Sequence, residues 1–469
     1  MALLGYMTPL VLVATSIAIP TIIVLNLVRR LFSTHALPSG LPWAGVGAHH
    51  NSISLARANL NSFFNLQALL DEGYEKYSKN NRPYVLPYFV NGPQVILPSS
   101  DIRWLLDQPD SRLSQEHVNR QFLEADYTFL HANLVKDPVH PEIIKYELTK
   151  QIGSFVEDIV DEVELCLRDT WGTDTENWRE VRLYDTMLEA IARMSTRVFI
   201  GLPLCRDPEF ITTCRSFNRN VAISAAALSA LPAFLKPLFA PFVTFYDYIQ
   251  YLRCSRFVMP LIKKRLDQIT SKEKLPLFGS NPPNDYVQWA INHALAKPTP
   301  NPMDLDPRVI ACRFSVLCFA AIQSSVITIT NTLFDVAASL NCEKALTTMR
   351  EEVSREIYES GACTKASLAR MTHVDSALRE SLRLNGFIER GIMKMVVAPE
   401  GVTLPDGSHI PYGVKVGISG YSVHHDEENY TDATTYNAFR FAGTDGGKPS
   451  ALVSTSEKFM GFSHGSHAW

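Results

Sequence analysis

The sequence predicts a mainly α-helical protein with a smaller β part, preceded by one apolar N-terminal helix. Three observations predict it. From about residue 140 onward apolar side chains recur at helical spacing, as between Ser154 and Asp169, the period of a helix with one buried face. Strand-like runs are confined to two stretches, Pro83–Pro98 and Val396–Ile418. Each contains a turn pair, Asn91-Gly92 in one and Asp406-Gly407 in the other, which is a hairpin signal. Finally, Met1 to Val28 carry no charged side chain, enough chain to cross a hydrocarbon core of about 30 Å at about 1.5 Å per residue.

The N-terminal segment is the first element to justify. Pro9 and Pro20 interrupt it, which membrane helices tolerate. A cleaved signal peptide is the rival, but it needs a charged start and a short apolar core. Arg29 and Arg30 follow directly, so the excess of positive charge on the cytosolic side places the remaining chain in the cytosol. Residues 1–30 are therefore expected to be an anchor and 31–48 a stiff hinge, since Leu37-Pro38-Ser39-Gly40-Leu41-Pro42-Trp43 is proline-rich and proline fixes φ. Residues 49–469 form the main domain.

That domain is large enough for a substantial core: of 469 residues, 46% are hydrophobic and 20% charged. With 44 basic against 48 acidic residues the net charge is -4, so no single-sign field suits nucleic acid. The 8 cysteines, the last of them Cys363, show no paired spacing, and reduced thiols in a cytosol-facing protein are expected.

Among the helices, His140-Pro141 opens one, with proline in its first turn. Asn220 to Leu235 carries no charge and reads as a buried helix or as an apolar entrance that touches a membrane. Asp306-Pro307 starts the longest candidate, reaching about Leu340, with an acidic cap and proline in the first turn. Its uncharged stretch Phe314–Phe334 is long enough for a second span. Its many Ser, Thr, Asn and Gln residues favour a helix buried inside the protein. Met371–Leu384 contains Glu380 and Arg383, an i,i+3 pair able to bond on one helix face. Glu176 with Arg179 and Glu352 with Arg355 have the same spacing, so spacing alone selects nothing.

The C-terminal run Phe459-Met460-Gly461-Phe462-Ser463-His464-Gly465-Ser466-His467-Ala468-Trp469 combines aromatics, glycines and histidines. It fits a tight loop around a flat ligand, or a surface turn. It resembles the haem-binding loop of the cytochrome P450 family, whose pattern is Phe-x-x-Gly-x-Arg/His-x-Cys-x-Gly. Phe462, Gly465 and His467 fall on its first three fixed positions, and Trp469 stands where the cysteine is due. Three further features follow in the family's order: Ala320-Ala321-Ile322-Gln323-Ser324-Ser325 for its central-helix motif, Glu380-Ser381-Leu382-Arg383, and Arg440 within Phe439-Arg440-Phe441.

The resemblance spans the chain and implies the P450 fold, incomplete at its C-terminal end, and a haem b cofactor. It implies insertion of one oxygen atom from dioxygen into an apolar small molecule such as a terpenoid or other secondary metabolite. Electrons would come from NADPH through a reductase, at the endoplasmic reticulum membrane. It further implies Ser324, Ser325 and Gln323 at the dioxygen side, with Ser324 keeping the hydroxyl of a proton relay and Gln323 lacking the acid. His467, Arg390 and Lys145 would meet the haem propionates, although Arg390 and Lys145 read equally as surface charges. Glu380, Arg383 and Arg440 would form a buried charge triad. The departure is at the metal. The family's cysteine thiolate pushes electron density to iron, and the indole of Trp469 offers only an N–H donor. The chain as written is therefore expected to be impaired. Two other readings stay open: a non-catalytic, membrane-anchored short form that binds a lipid-like ligand or haem, and a haem isomerase or dehydratase on the same fold.

Overall fold

The structure, a computed structural model, describes residues 20–34, 37–47, 51–270, 283–299, 301–443, 447–466 and 468. Most of the predicted anchor, together with His467 and Trp469, lies outside the described residues.

The fold is built around one helix, Pro307–Ala338. Asp306 caps it, its carboxylate accepting the Arg308 N–H, and Pro307 occupies the first turn, where its missing N–H costs nothing. Residues 309–318 are buried all the way round. They pack among helices Leu183–Phe199, Pro208–Ala230 and Phe245–Thr270, while the later turns meet Thr372–Asn385. It is the one described helix long and apolar enough to span a membrane, and it is the core of this domain. The expected burial holds, but for a different reason. Ser315, Ser324, Thr328 and Thr332 return their hydroxyls to the carbonyl four residues back, so the helix satisfies its own polar groups. Packing, not polar content, keeps it inside.

The β part is a five-stranded sheet of β1 (Tyr84–Leu86), β2 (Gln94–Leu97), β3 (Leu113–Ser114), β4 (Gly391–Val396) and β7 (Lys415–Ile418), ordered β1-β2-β7-β4-β3. A separate two-stranded ribbon pairs β5 (Val402–Thr403) with β6 (His409–Ile410). β1 and β2 form the hairpin expected around Asn91-Gly92, and β5 and β6 the one around Asp406-Gly407. β2 lies parallel to β7, more than 300 residues away in sequence. One sheet face carries Val95, Val396, Val416 and Leu113 into a cluster that includes Met460; the other carries Leu86 and Ile96 into a cluster with Leu69 and Tyr84.

The described N-terminal helix, residues 20–31, is clasped to this body. Arg30 donates to the carbonyls of Val90 and Ser229, and Asn26 to that of Ala230. Ile23 packs beside Leu228, Leu231 and Ala240, while Val24, Leu25 and Val28 are exposed. Within the proline-rich segment Leu41 and Trp43 are buried, and Trp43 bridges to Val85. The uncharged stretch from Asn220 is helical only to Ala230. It buries one face and exposes Ile223, with Phe234 exposed beyond its end.

Candidate active site

Helix Thr372–Asn385 positions the site, and a carboxylate from another helix fixes where it starts. Glu352, on Cys342–Ser360, is buried and accepts the N–H groups of His373 and Val374 and the Thr372 hydroxyl. Free N–H groups and the helix dipole at an N-terminus favour such an anion.

Three residues expected to share a site meet on this helix. Glu380 is fully buried; its Oε2 accepts Arg383 Nε at 2.8 Å and its Oε1 accepts Arg440 Nε at 2.9 Å. The Asn437 N–H adds a third donor to the same carboxylate. Arg383 spends its remaining donors on the carbonyls of His424 and Ala433, and Arg440 on those of Thr431, Asp432 and Thr435. Every charge is partnered, which is the condition for burying one without a penalty of several kcal/mol.

The loop Phe459–Ser466 lies against this helix. Gly465 sits at φ +92, and a β-carbon there would come within 2.4 Å of Leu106 Cδ2; one at Gly461 would meet Leu382 Cδ2 at 2.5 Å. Both positions therefore demand glycine. Phe462 packs edge-on against Phe387, with ring centroids 5.3 Å apart. Two groups the sequence did not flag hold the loop's entry. Arg379 donates to the carbonyls of Ala451 and Ser454 and lies 3.6 Å above the Phe459 ring. Its burial pushes its pKa down to about 10. His424 is buried and held down to about 3, first by desolvation and then by Arg383. Its neutral Nε2 therefore accepts the Met460 N–H at 2.8 Å. Arg379 was foreshadowed only by its place beside Glu380, and His424 by nothing local.

The dioxygen-side candidates sit where the central helix stops being buried. Ala320 and Ser325 are exposed and Ser324 is half-buried, directly after ten buried residues. The helix runs through without the local opening that the resemblance implies. Ser324 bonds the Ala320 carbonyl, and Gln323 donates to the Tyr184 hydroxyl at 2.9 Å, which holds it toward the neighbouring helix. A face of small side chains on a core helix and a glycine-tightened loop make a cradle fitted to a flat macrocycle. Of the propionate candidates, Lys145 is exposed with its ammonium 5.8 Å from the Tyr146 ring. Arg390 donates to Gln94 Oε1 at 3.0 Å and stacks on Tyr88. None of the eight cysteines lies in the loop: all fall between 166 and 363, and all are free.

The cytochrome P450 family pattern matches residues 65–468. This chain belongs to the cytochrome P450 family. Curated relatives agree. It is 31% identical over 447 residues to the cytochrome P450 monooxygenase polB of Polytolypa hystricis, covering 92% of this chain and 84% of that protein. It is 28% identical over 468 residues to the cytochrome P450 monooxygenase gloP of Glarea lozoyensis, covering 95% and 85%. The fold is thus that of a haem-dependent monooxygenase, an enzyme family that acts on small molecules with electrons from a redox partner.

Proposed function

We propose that this P450 inserts one oxygen atom into an apolar small molecule, a terpenoid or similar secondary metabolite, with electrons from NADPH through a reductase. The observation that carries this reading is the small-residue face of the central helix, opening beside the glycine-tightened loop. Haem b, when bound, supplies the dioxygen chemistry; the protein orients and tunes it. Ser324 and Ser325 offer hydroxyls for proton delivery on that face, a role within hydrogen-bond reach or one water away. Gln323 offers no acid and is held by Tyr184, so its role is positional. Glu380, Arg383 and Arg440 hold the loop side rigid. Lys145 and His467 are the cations for the propionates; Arg390, the third that the resemblance offers, is bound to Gln94 and Tyr88. The exposed Val24, Leu25 and Val28, with Phe234, Leu238 and Phe242 nearby in the fold, support a membrane-held enzyme at the endoplasmic reticulum, with its catalytic domain on the cytosolic side.

With Trp469 at the ligand position, this chain lacks the thiolate and its oxygenase activity is impaired. The reduced carbon monoxide difference spectrum tests it. The chain is expected to lack the thiolate band of intact family members, and Trp469→Cys is expected to move the spectrum toward it. A full band from the unaltered chain would overturn the impairment.

A further inference from the structure

The sheet face turned away from the loop carries a lysine that the site just described does not use. Lys415, in β7, is 5% exposed. Among the described residues it has neither a hydrogen-bond nor an ion-pair partner. Register fixes what surrounds it: it stands opposite Gln94 of β2 and Met395 of β4, which in turn pair with Leu86 and Ser114. Residues directly opposite share a face and alternate ones do not. Lys394 and Val416 therefore point to the other side, where Met460 and the loop pack.

A second cation joins it. Arg390 donates to Gln94 Oε1, on the same face, and its guanidinium lies 4.3 Å from the Tyr88 ring. The partners shown for Arg390 are all neutral. Burial, and then repulsion by Arg390, pushes the Lys415 ammonium down to about 8, and Glu124 opposes this only weakly. Glu124 is itself held by Lys236. A buried ammonium usually finds a counter-ion or shifts its pKa and loses its charge. Here the protein positions two cations side by side and supplies neither with a carboxylate of its own. Tyr88 also lines a groove of about 510 Å³ whose walls include Phe63, Phe64, Leu66 and Val90, so apolar surface borders the pair.

We propose that Lys415 and Arg390 form a carboxylate-binding subsite that holds the head of an apolar carboxylic acid, the substrate class of this enzyme. The proposal rests on the monooxygenase reading and narrows it: the tail runs over apolar surface, while the head is fixed by a point charge and a planar fork. Arg390 presents paired donors to a carboxylate, Lys415 a compact charge. Neutral substrates of similar shape are discriminated against, because they leave both cations unpaired.

Binding of laurate and of methyl laurate to the purified full chain, by isothermal titration, tests this without requiring turnover. Laurate is expected to bind about tenfold or more tighter than its ester, the scale of one charge-assisted hydrogen bond. Lys415→Met and Arg390→Gln should each erase that preference and leave the ester unchanged. Equal binding of acid and ester, or an unchanged preference in both variants, overturns the proposal. A hemin titration of the same proteins tests the other source of carboxylate. If the variants weaken hemin binding about tenfold and leave the laurate preference intact, the cations serve the haem propionates and the proposal is overturned. Failure of the monooxygenase reading appears separately, as loss of the carbon monoxide response in Trp469→Cys, which laurate binding does not depend on.

Discussion

Two buried charge clusters stand on opposite sides of the same sheet, and they are built on opposite rules. Around Glu380, each charge is met by another or by carbonyls: both oxygens of Glu380 are taken, and Arg383 and Arg440 use their remaining donors on the segments from His424 to Thr435. Around Lys415 the cations are equally deep and have no anion of their own. Charges that hold a fold together are compensated within the chain; charges left uncompensated at the same depth await something the chain does not contain.

The largest effect that would break this contrast is expected at Glu380. Glu380→Gln leaves Arg383 and Arg440 facing a neutral amide in a buried site, and should cost about 3–5 kcal/mol of stability in urea unfolding. A loss no larger than that of a surface pair would show that the cluster is not structural.

Lys415→Met should act in the opposite direction, stabilising the apoprotein by up to about 3 kcal/mol below pH 8. The sign follows from the protons bound. Folding lowers the Lys415 pKa from 10.5 to about 8, so between these values the unfolded chain holds the extra proton. Wild-type stability attributable to Lys415 therefore rises with pH across that window, and the advantage of the variant closes. Unfolding curves at pH 7 and pH 10 read the difference directly. An advantage independent of pH would mean that Lys415 is not charged when buried.

His424→Phe keeps a ring beside Phe459 but orphans the Met460 N–H. The expected cost is about 2 kcal/mol, the scale of one unsatisfied buried donor, with the loop's amides exchanging faster than those of the core in hydrogen-exchange measurements. At the small end, Glu72→Gln removes the exposed i,i+4 partner of Lys76 and should change stability by less than about 0.5 kcal/mol. Similar local spacing, at two depths, then spans the full range.

Those pairs also show where the sequence stops being informative. Glu176 and Arg179 share the spacing of Glu380 and Arg383, yet they lie exposed in a segment with no helix. Glu352 and Arg355 share it too. There Glu352 turns away to cap a different helix and Arg355 bonds Glu356. Only context, the order of a helix, a β ribbon and an arginine before an aromatic–glycine loop, singled out the right pair. The central helix, its cap and both hairpins were legible because capping, period and turn chemistry are local. Arg390 was legible as a cation near a ligand, but its neutral partners were not. Lys415 gave no signal, since a lysine within Val414-Lys415-Val416 reads as the solvent face of an edge strand.

What the amino-acid order determined by itself was the set of elements, the loop's demand for glycine, and membership of a fold whose features recur in one order. What only the tertiary structure decided was depth: which face of β7 is covered, which carboxylate caps which helix, and which charges find partners. The physical reason is that period and turn geometry act over a few residues, whereas burial depends on chain arriving from hundreds of residues away, as β2 does when it covers the flank of β7.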